Sequence, residues 1–160
     1  MKAKVMVLIV LVVGFFAPKT PDFPTPKAQQ LALVQLLDFL GAEVEYIVCT
    51  HEKLNARPVA NIGDISFYAY RGEECEKLEF NSFAVVAESV VVYGDDYKKF
   101  LKNNDISDVK QEKYSGFLLL YCYSPRLHKY LASKGERFNL QVAIYNDYFK
   151  VGYPAIMDGF

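Results

Sequence analysis

Hydrophobic and polar positions change period several times along the chain, and each change predicts an element. Thr25-Pro26 supplies a capping hydroxyl and a proline for a first helical turn, and Gly41 supplies a stop. Between them Lys27, Gln30, Gln35 and Asp38 fall on one narrow stripe, while Leu31, Val34, Leu37 and Leu40 cover the rest. The spacing predicts a largely buried helix over 26–40. Glu43 to Cys49 reads as a strand, and Arg57-Pro58 argues against a helix through residues 50–63. Ile65, Phe67 and Ala69 alternate with Ser66, Tyr68 and Tyr70, predicting a half-buried strand closed by Gly72.

Glu73 to Lys77 is a charged turn, and Phe80 to Tyr93 holds two β-rich runs meeting at Glu88-Ser89, with Glu88 read as a turn residue. Asp95-Asp96 caps a short helix bearing Tyr97, Phe100 and Leu101 on one face. Tyr114 to Tyr123 is apolar on both sides and therefore predicts a central strand. Ser124-Pro125 opens a further helix, with Leu127, Tyr130 and Leu131 inward and Gly135 as its stop. Phe138, Leu140, Val142 and Ile144 alternate with polar or small neighbours, and Asn146-Asp147 offers a two-residue hairpin turn before Tyr148 to Met157. Phe80-Asn81 and Phe138-Asn139 lie 58 residues apart, and at that offset Gly94 falls on Gly152. The expected fold is α+β, mainly antiparallel sheet with helices on one face, in two duplicated halves of about 27–94 and 95–160.

Ahead of this body, Lys2 and Lys4 precede the uncharged run Val5–Ala17, which Pro18, Pro21, Pro24 and Pro26 then follow. A positive end, an apolar run and a polar break are the parts of a secretory signal. Thirteen residues rise only about 20 Å as a helix, short of the roughly 30 Å hydrocarbon layer. Phe15-Phe16-Ala17 lacks the small-x-small cleavage pattern, so an uncleaved N-terminal anchor stands beside a cleaved signal peptide. The competing reading is a buried strand, since Val5, Ile9, Val10, Val12 and Val13 are β-branched with strand preference. Residues 1–17 thus give an export signal or anchor, 18–26 a proline-rich linker and 27–160 one domain whose location is outside the cytoplasm.

Charge narrows the partners. The chain carries 18 basic and 19 acidic residues, and removing 1–17 with its two lysines leaves 16 against 19, a net of −3. Bulk electrostatic binding to nucleic acid is disfavoured, and the membrane is met only through the N-terminal segment. An envelope partner or a small ligand is the expected partner.

Leu40-Gly41-Ala42-Glu43-Val44-Glu45, Phe138-Asn139-Leu140-Gln141-Val142-Ala143 and Gly152-Tyr153-Pro154 resemble stretches of the YwmB-like family of Gram-positive bacteria. The resemblance covers about a fifth of the chain. It implies an exported protein with a duplicated fold related to the TATA-box-binding protein, and it transfers no functional residue. The absence of tryptophan and the short length depart from the family.

Candidate chemistry is sparse. Cys49 with His51 and Cys122 with His128 are the one suggestive set. Their spacing matches no zinc pair, so no metal or cofactor is expected. A cysteine nucleophile, Cys49 with His51 or Cys122 with His128, defines the alternative function, an envelope enzyme. In an oxidising compartment Cys49 and Cys122 form the expected disulfide, with Cys75 as the odd thiol and three unpaired thiols as the other possibility. No nucleophile elbow, phosphate loop or dinucleotide fingerprint occurs, which favours a non-catalytic binding module.

Tyrosine is the compositional signal. Tyr68, Tyr70, Tyr121, Tyr123, Tyr145, Tyr148 and Tyr153 all fall on predicted strands. Tyrosine is a good strand former on any half-buried surface. As a group these residues make the sheet the expected binding surface, because each ring is apolar with a polar tip. Only Arg71, Arg137 and Lys150 lie beside these strands, too few cations for a nucleic-acid platform.

Overall fold

The computed structural model describes residues 28–29, 31–37, 39, 43–71, 74, 80–81, 84–157 and 159. Segments 1–17 and 18–26 and Cys75 lie outside the described residues.

One antiparallel sheet of eight strands organises the domain. Its members are β2 (Val44–Thr50), β3 (Ala60–Ile62), β4 (Ile65–Arg71), β6 (Val85–Tyr93), β7 (Ser107–Tyr114), β8 (Phe117–Tyr123), β11 (Leu140–Ile144) and β12 (Tyr148–Tyr153). They lie in the order β3-β4-β2-β6-β12-β11-β8-β7. Two short antiparallel pairs stand apart, β1 (Ala28–Gln29) with the distant β5 (Phe80–Asn81) and the hairpin of β9 (Leu131–Ser133) with β10 (Glu136–Phe138). The helices are α1 (Ala32–Leu36) and α2 (Tyr97–Asn103). A predominantly antiparallel α+β fold is therefore the architecture.

Alternation sorts strand residues onto two sides. Tyr46, Val48, Val90, Val92, Leu120, Leu140, Val142, Phe149 and Val151 form the main apolar cluster, into which Leu31, Leu33, Leu37 and Phe100 pack. The opposite side carries the cross-strand row Arg71–Glu45–Val91–Lys150–Ala143–Leu119–Glu112, each residue the register partner of the next.

Strands β2 and β4, helix α2 and the Asn146-Asp147 hairpin follow the sequence pattern. Asp96 caps α2 through its carboxylate, which accepts from the Lys99 amide at 3.2 Å. Tyr145 N–H donates to the Tyr148 carbonyl across the hairpin turn at 2.9 Å.

Four elements differ from expectation. The 26–40 helix contracts to Ala32–Leu36, with Ala28 and Gln29 paired to β5 and Leu37 extended at ψ 141°. Its N-terminal amides are satisfied by a carboxylate on a distant strand, described below, so no local cap sets its start. The Phe80–Tyr93 region does not break at Glu88-Ser89, because β6 runs straight through both residues. At the 58-residue offset this continuous strand is set against the Asn146-Asp147 hairpin.

Tyr114 to Tyr123 divides at Ser115-Gly116, where Gly116 takes φ 101°, and β8 lies beside edge strand β7 instead of at the centre. The helix from Ser124 is replaced by an irregular segment and the β9–β10 hairpin. Asn139 clamps that segment, donating from Nδ2 to the Ser124 and Leu127 carbonyls and accepting from the Ser124 amide. The two carbonyls are groups that a helix from Ser124 would have used itself. Lys134 and Gly135 both adopt positive φ, 51° and 86°, and reverse the chain where a helix stop was expected.

Candidate functional site

On the side away from the main core, five aromatic residues stand in one row across five strands. Tyr93 of β6 is the register partner of Tyr148 on β12, with ring centroids 6.3 Å apart. Tyr148 stacks on Tyr145 at 4.4 Å, at the end of β11. Tyr145 stacks on Phe117 of β8 at 5.4 Å, and Phe117 on Tyr114 of β7 at 4.9 Å. The rings follow the sheet because neighbouring strands are roughly 4.8 Å apart, close to the spacing of offset-stacked aromatics. In the middle of the row Tyr148, Tyr145 and Phe117 are half-buried, each stacked on a neighbour. At the ends Tyr93 is 50% and Tyr114 42% exposed. Beside Tyr93 lies a depression of about 360 Å³ lined by Glu45, Val91, Tyr93, Tyr145, Tyr148 and Lys150.

A polar cluster adjoins the Tyr114 end. Glu112 accepts from Lys110 Nζ, from the Tyr114 hydroxyl at 2.7 Å and from the Tyr121 hydroxyl at 3.1 Å. The Lys110 contact first, then the Tyr114 hydroxyl, hold the Glu112 carboxyl down to about 2. Burial, followed by the Glu112 bond, pushes Tyr121 up to about 12. Lys110 Nζ also sits 5.0 Å from the Tyr121 ring centroid. This fixes the two phenols as donors to a carboxylate and leaves neither one as an acid or nucleophile near neutral pH.

The tyrosines singled out from the sequence divide between the two sides. Tyr121, Tyr123, Tyr145 and Tyr148 are on the open side, by parity with Leu119, Ala143 and Lys150. Tyr68, Tyr70 and Tyr153 face the main core. Tyr68 is buried and its hydroxyl accepts from the Leu54 amide, Tyr70 packs on the main cluster, and the buried Tyr153 hydroxyl accepts from the Lys129 amide. Tyr93, Tyr114 and Phe117 were missed. Their signal was available only as aromatics at strand ends, which one strand cannot assemble into a row.

The cysteine pairs do not come together. Cys49 and Cys122 are both thiols. Cys49 belongs to a small apolar cluster with Phe67 and Ala87, whereas Cys122 belongs to the main core on the other side. Three strands separate β2 from β8, roughly 19 Å, far beyond bridging range. The expected disulfide is therefore corrected: sheet order and strand parity hold the two residues apart. His51 is exposed and pairs with Asp64 at 3.0 Å. His128 is exposed while Cys122 is fully buried, and burial pushes the Cys122 thiol up to about 12. Burial therefore disfavours the thiolate of Cys122. Among the described residues no group of three or more His, Cys, Asp or Glu could hold a metal, and no helix is long and apolar enough to cross a membrane.

Glu88, read from the sequence as a turn residue, is instead a buried carboxylate at 5% exposure. Oε1 accepts from the Ala32 amide at 2.9 Å and Oε2 from the Leu33 amide at 2.8 Å. Leu31 gives α1 no side-chain cap, so Glu88 supplies one from a strand more than fifty residues away. Burial raises its carboxyl to about 7, against the lowering effect of the two amides and of Lys129. A lone acid within a Val-rich run was the available signal. Its enclosure makes it a structural cap.

Comparison of the chain with protein-family models, with curated proteins and with solved structures returns no match.

Proposed function

We propose that this chain is an exported, envelope-associated domain without catalytic activity, binding a partner or small ligand through the open side of its sheet. The aromatic row from Tyr93 to Tyr114 is the observation that carries the reading. Exposed Tyr93 and Tyr114 at the ends of the row, with a depression holding one acid and one amine beside Tyr93, suit recognition better than turnover. The signal-like start and the net charge of −3 that its removal leaves support placement at the envelope. The burial of Cys49 and Cys122 removes the observation on which a cysteine enzyme would rest.

The YwmB-like resemblance and the two-halved organisation, with helices on one side, belong to the same proposal. In its support, residues 44–93 and 107–153 each contribute four consecutive positions to the sheet order. The first half is ordered β3-β4-β2-β6 and the second is a simple meander.

Fractionation of cells making the full chain, or a chain starting at Pro18, tests location. The full chain is expected with the envelope and the shorter one in the cytoplasm. Co-sedimentation with purified envelope fragments tests the surface, and Tyr93→Ser with Tyr114→Ser is expected to weaken it at least tenfold. Full-length protein that stays in the cytoplasm, or a double variant that binds as well as the parent, overturns the proposal.

A further inference from the structure

The depression of about 360 Å³ beside Tyr93 is bounded by rings in two planes. Tyr93 and Tyr148 are register partners whose planes meet at 49°, with centroids 6.3 Å apart. Tyr145 lies close to parallel with Tyr148, at 15° and 4.4 Å. Val91, Glu45 and Lys150 complete the lining. The face of a phenol ring is electron-rich and attracts a cation within about 6 Å of its centroid.

The two charged groups of the depression differ in their partners. Lys150 is 9% exposed, and its Nζ donates to the Gly159 carbonyl at 2.9 Å. The half-buried Glu45 has no side-chain hydrogen bond or ion pair among the described residues. Arg71, its register partner on β4, is exposed and forms no ion pair with it. Val91 stands between Glu45 and Lys150 in the cross-strand row, which sets their strands two spacings apart, roughly 10 Å. The unmatched charge is therefore negative, and it lies on the same side of the sheet as the tyrosine rings.

We infer that this depression is an aromatic cage for a small soluble cation bearing an alkylated ammonium group, held by the faces of Tyr93, Tyr145 and Tyr148 and by the charge of Glu45. A primary ammonium carries three N–H donors that need acceptors, and a lining of rings, one valine and one carboxylate offers few. An alkylated ammonium has no such need, and its methyl groups suit ring faces and Val91. An anionic ligand such as a phosphate would meet Glu45 unpaired. The inference rests on the proposed role of the open side and names the ligand class for it.

The probe is choline, followed by the NMR shift of its methyl protons as the full-length chain is added, with dimethylbutanol as the uncharged isostere. Choline is expected to bind about tenfold or more tightly than dimethylbutanol, with an upfield shift from the ring currents. Tyr93→Leu, at an exposed site, is expected to weaken choline about threefold or more, while Tyr93→Phe keeps the ring face and the affinity. Glu45→Gln is expected to weaken it about threefold and to remove most of its salt dependence. Lys150→Met is expected to strengthen it, since a repelling charge is gone. Tyr114→Ser, at the far end of the row, is expected to change nothing. Circular dichroism establishes that each variant is folded.

Equal binding of choline and dimethylbutanol, or no choline binding, overturns the cage. So does parental affinity in both Tyr93→Leu and Glu45→Gln. Weaker binding by Lys150→Met overturns the plain cation in favour of a ligand with an anionic group. Binding to phosphatidylcholine vesicles without binding to free choline overturns the soluble source. Envelope binding that survives while choline fails sinks the cage alone, and choline binding without envelope binding sinks the envelope partner alone.

Discussion

Replacing Glu88 by glutamine should remove most of the pH dependence of stability between pH 5 and 8. Glu88 is enclosed at 5% exposure, and its carboxyl rises from the ordinary 4.5 to about 7 in the fold. A group that holds its proton more tightly folded than unfolded favours the fold at low pH. That contribution is complete below about 4.5 and is lost as pH rises through about 7. At about 1.4 kcal/mol per pH unit, the loss between pH 5 and pH 8 is about 3 kcal/mol. Lys129 is the charged neighbour that works against it, favouring the ionised carboxylate.

Equilibrium urea unfolding, read by circular dichroism at half-unit pH steps, measures the effect. Such a change moves the midpoint by about 1 to 3 M for typical urea slopes. The parent should be least stable at pH 8, and Glu88→Gln should be nearly flat across the window. Glutamine retains one carbonyl oxygen, so one of the two α1 amides loses its acceptor, which costs about 1–3 kcal/mol at low pH. A parent with no slope between pH 5 and 8, or a glutamine variant that keeps the slope, refutes the reasoning.

Asn139→Ala strips three hydrogen bonds from a fully buried clamp and should cost about 3 kcal/mol or more, read as a lower urea midpoint. Asp96→Ala should cost only about 1 kcal/mol by the same assay, since it removes one exposed cap of a two-turn helix. In a Cys75→Ser background, Cys49 and Cys122 should resist iodoacetamide at pH 8 in the native protein and react once urea unfolds it. Rapid native alkylation of either would contradict their burial.

Local pattern and tertiary structure decided different things in this protein. Strands β2 and β4, the capped helix α2 and the Asn146-Asp147 turn were legible because their determinants lie within a few residues: alternation, an aspartate before an apolar turn, two turn formers between apolar runs. The predominantly antiparallel α+β class follows from counting such elements. Elements whose determinants lie elsewhere in the chain were not legible. The length of α1 depends on a carboxylate in β6, and the loss of helix after Ser124 depends on the side chain of Asn139.

The sites divide in the same way. The sequence marks tyrosine-rich strands, but which side each ring faces depends on register, and a shift of one residue exchanges the sides. Register places Tyr68, Tyr70 and Tyr153 toward the core and gathers Tyr93, Tyr114 and Phe117 into the row. Sheet order also keeps Cys49 from Cys122, a fact of topology that no spacing along the chain encodes. The chain by itself determined which segments extend, turn and bury. Only the packed sheet determined which side chains meet, because contacts across strands join residues far apart in sequence.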